Sequence, residues 1–393
     1  QTSSVTVIAP AQPPAGTSWP YAAPASAATE SPVAYYVNDG GTSVSSSVYV
    51  GSADGYLRAL KKDGTLKWAY ATSPLSAVRS SPNAVVEGGS VYLYFANDNG
   101  DVYKLRDDET SGALVWKQSI GARVRSGVMC SDMECTGSVI YLGAADKTVR
   151  CLNKSDGLAC SGWTFASAVT AEVSGVLAID SRDSVKTAWV GLADGKVVAL
   201  QTTDGASPTS FVSGGAIVSS PYLDARVADA NNVIYFTSTD GKLYARVSSN
   251  LSAMPTGWTA DYQTEGASPI RTSPMVTFGA VKYIFFGDDA GRLHKVDATG
   301  AAVAGWPVQA GGAIRSSPVW VPGAYVGLAA DYIYFGCDDG YIYAVNADTG
   351  ERRSGWPVAT GGPVRADPVV DVADRTLTVG STDGKTYSLN IGP

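Results

Sequence analysis

A single histidine, His294 in "GRLHKV", is the one side chain of this sequence that titrates near neutrality without help from its surroundings. A Ser-His-Asp arrangement could be built only around it, yet a lone histidine inside an alternating strand is expected to be a packing residue. One histidine and no Cys-x-x-Cys-His run also leave too few ligands for zinc or haem. Carboxylates gather in "NDNGD" at 97–101, at Asp288 and Asp289, and at Asp338 and Asp339. Calcium takes such oxygens, but these fall in tight turns that favour Asp and Asn by backbone geometry alone, and no Asp-x-Asp-x-Asp loop is present.

The arginines are the sharpest pattern. Segments such as "VRSSPNAVV" at Val78 and "IRSSPVWV" at Ile314 align Arg79, Arg125, Arg271, Arg315 and Arg365 at one equivalent position, with Thr29, Val173 and Val218 in the other three copies. Two readings stay open. Five guanidiniums converging on one place would bind an anionic carboxylate or phosphate, because Arg grips both bidentately. Alternatively each staples neighbouring units through a carboxylate such as Glu30, Glu172 or Asp367, as a half-buried cation requires.

These arginines belong to a repeat. Trp19, Trp68, Trp116, Trp163, Trp258, Trp306 and Trp356, with Phe211 where one is missing, recur at intervals of 47 to 50 residues. In step with them run hairpin-like segments, from "VYVGSADGYLRAL" at Val48 to "TVGSTDGKTYSL" at Thr378, eight in all. Each is a strand of aromatic and β-branched residues, a turn usually of Asp-Gly type, and an alternating strand. A Pro-marked strand precedes every hairpin and a Trp-marked strand follows it. Four-stranded units at this period predict an all-β, eight-bladed propeller of antiparallel blades, with the aromatics docking one blade on the next.

The ends of the chain predict how the ring shuts. The last unit stops at Pro393 with three strands made, while "GTSWPYAAP" at 16–24 stands before the first Pro-marked strand. An N-terminal strand carrying Trp19 is therefore expected to complete the eighth blade and remove the open edge. This divides the chain into an extended arm, residues 1–16, and the propeller, residues 17–393. The arm, "QTSSVTVIAPAQPPAG", alternates like a strand and then stiffens with proline. It can pack on its own rim or add to the sheet edge of a second molecule and build a filament.

Composition limits the partners. A net charge of -7 and a pI near 4.8 give no attraction to nucleic acid, and no apolar run is long enough to span a bilayer. Cys130 with Cys135 and Cys151 with Cys160 are spaced to close small loops, leaving Cys337 over. Disulfides persist in oxidising compartments, and a chain beginning at Gln1 suits a processed secreted protein, so a periplasmic or extracellular location is expected.

The repeat units "VYVGSADGYLRALKKDGTLKW" and "YIYFGCDDGYIYAVNADTGERRSGW" resemble those of the pyrroloquinoline-quinone (PQQ) dehydrogenase-like propellers, over residues 17–393. The resemblance implies eight blades. It does not imply one function, because the family holds both quinoprotein alcohol dehydrogenases and the periplasmic scaffold lipoprotein of outer-membrane assembly. The dehydrogenases use PQQ with calcium, a stacking Trp, a catalytic Asp and often a disulfide of adjacent cysteines. Here no cysteines are adjacent, the loops are short, and Trp189 and Trp320, which the repeat leaves over, fall in strands. The expectation is an exported, non-enzymatic scaffold without cofactor that binds envelope or extracellular proteins. Its alternatives are a filament subunit joined through residues 1–16 and a PQQ-dependent dehydrogenase.

Overall fold

A computed structural model of the 393-residue chain describes residues 11–24, 28–29, 33–36, 45–130, 137–163, 169–180, 187–207, 209–224, 232–278 and 281–393. Its described strands form eight antiparallel sheets, seven of four strands and one of three, arranged as the blades of a propeller. Blade 7 shows the plan: Val319–Val321 nearest the axis, then Tyr332–Gly336 and Tyr341–Asn346 as the hairpin, then Val358–Ala359 outermost. Blade 3 has three described strands, and residues 164–168, next to Trp163, lie outside the described residues.

Each hairpin turns on a residue in the left-handed region, where a side chain is penalised. Gly340 has φ +83° and its N–H donates to Cys337 O at 3.2 Å. Glycine fills this place in every blade but the third, where Lys147 adopts φ +66°. The second and third strands of successive blades pack face to face and exclude water. Tyr49, Leu57, Ala59 and Trp68 of blade 1, for example, bury against Leu93, Phe95, Tyr103 and Leu105 of blade 2.

Several of the aromatics contact the next blade through a second glycine. The Trp68 ring covers Gly112 of the next blade and its Nε1 donates to Asp107 at 3.0 Å; Trp116 covers Gly157 and donates to Lys154 O at 2.9 Å. Trp258 covers Gly300 and donates to Ala298 O at 2.9 Å. A Cβ on Gly300 would lie 2.8 Å from the Trp258 ring, so the turn must be bare there. Phe211 fills the same role in blade 4, with its ring 5.7 Å from Phe236 and the Arg246 guanidinium 4.1 Å above it. One detail departs from the sequence reading. Trp19, Trp258, Trp306 and Trp356 stand just before the outer strand rather than in it, because those strands shrink to two residues. Trp163 donates at 3.3 Å to Val149 O of its own blade.

The ring closes through the N-terminal strand. Tyr21–Ala22 pairs with Lys385–Asn390, placing Tyr21 opposite Thr386, and Ala23 N–H donates to Gly384 O at 2.9 Å. Trp19 is buried over Gly64 of blade 1 and donates to Lys62 O at 2.9 Å, so one short segment ties blade 8 to blade 1. Of the arm, Ala11 N–H donates to Gly355 O at 3.0 Å and Gln12 O accepts from Asn390 N–H at 3.1 Å; residues 1–10 lie outside the described residues. Cys151 and Cys160 form a disulfide across a Cα separation of 5.4 Å. Cys130 is also disulfide-bonded, and Cys135 lies outside the described residues.

Two stability measurements check this account. Trp19→Ala is expected to cost about 3 to 5 kcal/mol in urea unfolding, as for other large aromatic truncations, and deletion of residues 17–24 to cost more. A loss under about 1 kcal/mol would mean that the seam does not hold the ring. Lys147→Gly is expected to add about 1 kcal/mol, because it releases a side chain from the left-handed region.

Candidate functional site: the arginine-lined mouth of the axis

A backbone bond repeated in all eight blades builds the mouth of the axial channel. The hairpin residue two before the turn position donates its N–H to the segment leading into the innermost strand. The bonds run from Ala53 to Ala28, Asp98 to Ala77, Ala145 to Arg123, Ala193 to Glu172, Thr239 to Ala216, Asp289 to Pro269, Asp338 to Ala313 and Thr382 to Pro363, all at 2.9 to 3.0 Å. Each hairpin tip is thereby pinned beside its own inner segment, where the next residue is buried and the one after it faces the axis.

Arg79, Arg125, Arg271, Arg315 and Arg365 line one cavity of about 290 Å³ on the axis. The register corrects two of the equivalences expected for the remaining blades. Ala34 lies opposite Tyr49 and Ala178 opposite Trp189, as Asn83 lies opposite Tyr94. Counting back equally from each puts Ser174 and residue 30 at the arginine position, and residue 30 lies outside the described residues. Thr29 and Val173 stand one place earlier and are buried. They pack on a glycine near the end of the second strand of the blade before, Gly380 for Thr29 and Gly143 for Val173, where a Cβ would approach within 2.3 and 2.1 Å.

The partners of the arginines also differ from those expected. Asp98 takes Arg79 of its own blade and Arg125 of the next, the latter at 3.6 Å. Asp289 takes Arg271 at 2.9 Å and Arg315 at 3.2 Å, and Asp338 takes Arg315 at 2.9 Å and Arg365 at 2.8 Å. Every one of these aspartates spans two blades. Glu172 instead pairs with Arg123 at 3.0 Å, and Asp367 accepts from Ser317 N–H at 2.6 Å. The three aspartates occupy the pinned hairpin column, which repeats in the sequence, but only the backbone bonds show that this column lies beside the arginines.

Two residues further along each inner segment, a second ring lines the same cavity. Val176 N–H donates to Ser220 Oγ at 2.9 Å, Ser220 N–H to Ser273 Oγ at 3.0 Å, Ser273 N–H to Ser317 Oγ at 3.0 Å, and Ser317 N–H to Asp367. This belt crosses five blades and ends on a carboxylate that burial pushes up to a pKa of about 6.

The remaining polar groups near this face serve the blade crossings. In "WPVATGGPVRADP" Gly361 N–H donates to Asp383 at 2.9 Å, and a Cβ there would lie 2.6 Å from that carboxylate. Gly311 with Asp339 and Gly214 with Asp240 repeat the contact at 3.0 and 2.8 Å. A tyrosine hydroxyl, of Tyr387, Tyr343 or Tyr244, bonds each aspartate as well. In blade 6 the tyrosine position is His294. Its ring stacks on Phe286 at 5.0 Å, and it lies 3.0 Å through Nε2 from Asp288 and 3.0 Å through Nδ1 from the Tyr262 hydroxyl. Burial alone would raise the Asp288 pKa, but hydrogen bonds from His294 and Arg292 hold it below the ordinary carboxylate value. His294 is buried, so it packs a blade and faces no open cavity. Cys337 is buried too, donates to Gly312 O at 3.1 Å, and has its thiol pKa pushed up to about 12 by burial. Among the described residues no cluster of three His, Cys, Asp or Glu side chains is placed to hold a metal ion.

With this geometry in hand, the family model described as "Outer membrane protein assembly factor BamB" matches residues 19–108 and 92–298, well over half of the chain. The chain belongs to that family of PQQ-like repeat propellers. No curated protein matches it. Solved structures share the fold of this PQQ-like propeller. BamB from Moraxella catarrhalis is 17% identical over 91% of this chain and 97% of its own, with a TM-score of 0.60. Saccharomyces cerevisiae Sqt1 is 14% identical over 93% and 95%, at 0.69, and the computationally designed Ika8 protein is 15% identical over 93% and 98%, at 0.64.

Asp367 allows a test of the belt. Its pKa is raised in the fold, so ionising it costs stability: the cost is absent below the unfolded value near 4 and complete above about 6. Asp367→Asn keeps an acceptor for Ser317 N–H. It is expected to stabilise the protein by roughly 1 to 3 kcal/mol near pH 7 and by far less near pH 4. Parallel urea curves for both proteins at the two pH values check this, and an equal effect at both removes it.

Proposed function

We propose that the protein is a non-enzymatic scaffold that binds other proteins at the cell envelope or outside the cell. The observation that carries this reading is where the polar side chains are spent. The arginines of the mouth hold aspartates of adjacent blades, the hairpin aspartates hold Gly-Gly crossings, and His294 is stacked and bonded on both ring nitrogens. These groups serve rigidity, which is what a platform for other proteins needs.

Antiparallel alternation puts the hairpin tips on the face with the arginine mouth, and the loops joining first to second strands on the opposite face. There, Phe278, Val281 and Tyr325, on the loops of blades 6 and 7, are 52%, 61% and 61% exposed, and the Phe278 ring meets Trp320 edge-on at 5.3 Å. Exposed aromatics of this kind are the anchors of protein interfaces. The family description, an outer membrane assembly factor, favours an envelope partner, and the Cys151–Cys160 disulfide favours an oxidising compartment. The docking of Ala11 and Gln12 on their own propeller supports action as a single ring rather than as a filament joined through residues 1–16.

Pull-down from the native envelope with wild-type protein and with Phe278→Ala/Tyr325→Ala tests the reading. A partner retained by the first and reduced at least tenfold with the second is expected. Equal retrieval by both overturns the choice of face, and a change in absorbance on titration with PQQ and calcium overturns the absence of enzymatic function.

A further inference from the structure

On the face opposite the arginine mouth, the seam between blades 6 and 7 holds a carboxylate that no cation of this chain meets. The seam before it is closed by an ion pair. Lys282, just before the second strand of blade 6, pairs there with Asp224, the last residue of the first strand of blade 5. Asp371 of blade 8 likewise holds Lys62 of blade 1 at 3.2 Å. Register puts Thr277 and Asp331 at the places of Asp224 and Lys282 in the following seam. Asp224 lies opposite Val233, which opens its second strand, and Thr277 N–H donates to Tyr283 O, which opens the equivalent strand. Asp331 immediately precedes Tyr332–Gly336, as Lys282 precedes Tyr283–Gly287. An acid therefore stands where blade 6 has a lysine. Its carboxylate accepts from neutral donors instead, Trp320 Nε1 at 3.2 Å and Gly323 N–H at 2.9 Å, and among the described residues no cation pairs with it.

Asp331 and Thr277 line a cavity of about 100 Å³ together with Phe278, Tyr283, Trp320 and Asp348. Aromatic rings and carboxylates around one small space suit an organic cation, because the ring quadrupole attracts the charge and the carboxylate takes its N–H groups. The fold already uses this chemistry beside the cavity: the buried Lys295 Nζ stands 3.9 Å from the centre of the Tyr283 ring and donates to Ala347 O at 2.8 Å. Lys295 also answers Asp348, at 3.9 Å, which leaves Asp331. Pockets for small molecules start at about 300 Å³, so a space of this size takes one side chain. We infer that the notch between blades 6 and 7 receives an arginine side chain of the protein partner, its guanidinium against the aromatic rings and forked on Asp331. The inference rests on the reading of this face as the docking face. Arginine fits better than lysine, because a planar, weakly hydrated guanidinium stacks on rings while an ammonium must shed tightly held water. An arginine seated among aromatics is a usual anchor of an interface, and here it supplies the charge that Lys282 supplies one seam earlier.

The test is an NMR titration of protein isotope-labelled at its tryptophan nitrogens, with the amides of N-acetyl-arginine, N-acetyl-lysine and the neutral isostere N-acetyl-citrulline at matched ionic strength. The indole N–H signal of Trp320, assigned by its loss in Trp320→Phe, is expected to shift saturably with the arginine amide. Binding of the lysine amide is expected to be about tenfold weaker, and the citrulline amide to leave the signal in place. Asp331→Asn keeps an acceptor oxygen but not the charge, and Phe278→Leu keeps apolar bulk but no ring. Each is expected to weaken arginine binding by about threefold to tenfold, with folding confirmed by circular dichroism. The titration needs no partner, so it separates this inference from the reading beneath it. In the envelope pull-down, Asp331→Asn is expected to retrieve about tenfold less partner than wild type. A partner kept by Asp331→Asn yet lost by Phe278→Ala/Tyr325→Ala overturns the arginine notch and leaves the docking face standing. Failure of the face itself shows differently, as equal retrieval by wild type and the double variant, and takes the inference with it. Citrulline or lysine binding as tightly as arginine, shifts at other tryptophans in place of Trp320, or unchanged affinity in Asp331→Asn would each overturn the inference as well.

Discussion

The hydrogen bond from each hairpin tip to the segment leading into its inner strand recurs in all eight blades, and the architecture of the axis depends on it. It costs no particular side chain, because both partners are backbone. That leaves the side chain of the donor free to vary, and blades 2, 6 and 7 use the freedom to place Asp98, Asp289 and Asp338 between two arginines. A blade-to-blade ion pair is thus superimposed on a backbone bond that already fixes its geometry. Pre-positioning of this kind is what makes a partly exposed pair hold, since the entropy of ordering it has been met elsewhere.

At larger radius a different device does the same work. The rings of Trp19, Trp68, Trp116 and Trp258 each cover a glycine of the following blade, and their Nε1 reaches a carbonyl or carboxylate there. Burial of a large aromatic supplies the energy and the bond sets the angle. Blades held by both inner contacts and an outer clamp are constrained at two distances from the axis, which resists both tilting and sliding. His294 fits this economy: it takes the place of a bonded, stacked tyrosine rather than that of a base.

Conversion of the repeat into a ring leaves its irregularities to carry whatever is specific to this protein. Blades 4 and 5 break the arginine and aspartate columns together, and the flanking Arg125 and Arg271 hold one aspartate each. The loops of blades 6 and 7 expose Phe278, Val281 and Tyr325 on the other face. A regular ring would have neither feature.

Period, strand pattern and the position of the ring closure were all legible in the sequence, because a unit that cannot bury its own faces must repeat its docking residues at fixed spacing. Trp19 to Trp356, the Asp-Gly turns and the convergence of five arginines follow from that. What tertiary structure alone decided is which groups meet. Asp98, Asp289 and Asp338, and not Glu172 or Asp367, answer the arginines, because the pinned hairpin brings a residue some twenty positions away in the chain beside them, from the same blade or its neighbour. Thr29 and Val173 fell out of the arginine position by one residue for a related reason. The distance from that position to the first strand pair is set by ladder register and not by the proline that marks it, and a one-residue slip exchanges a channel position for a buried one.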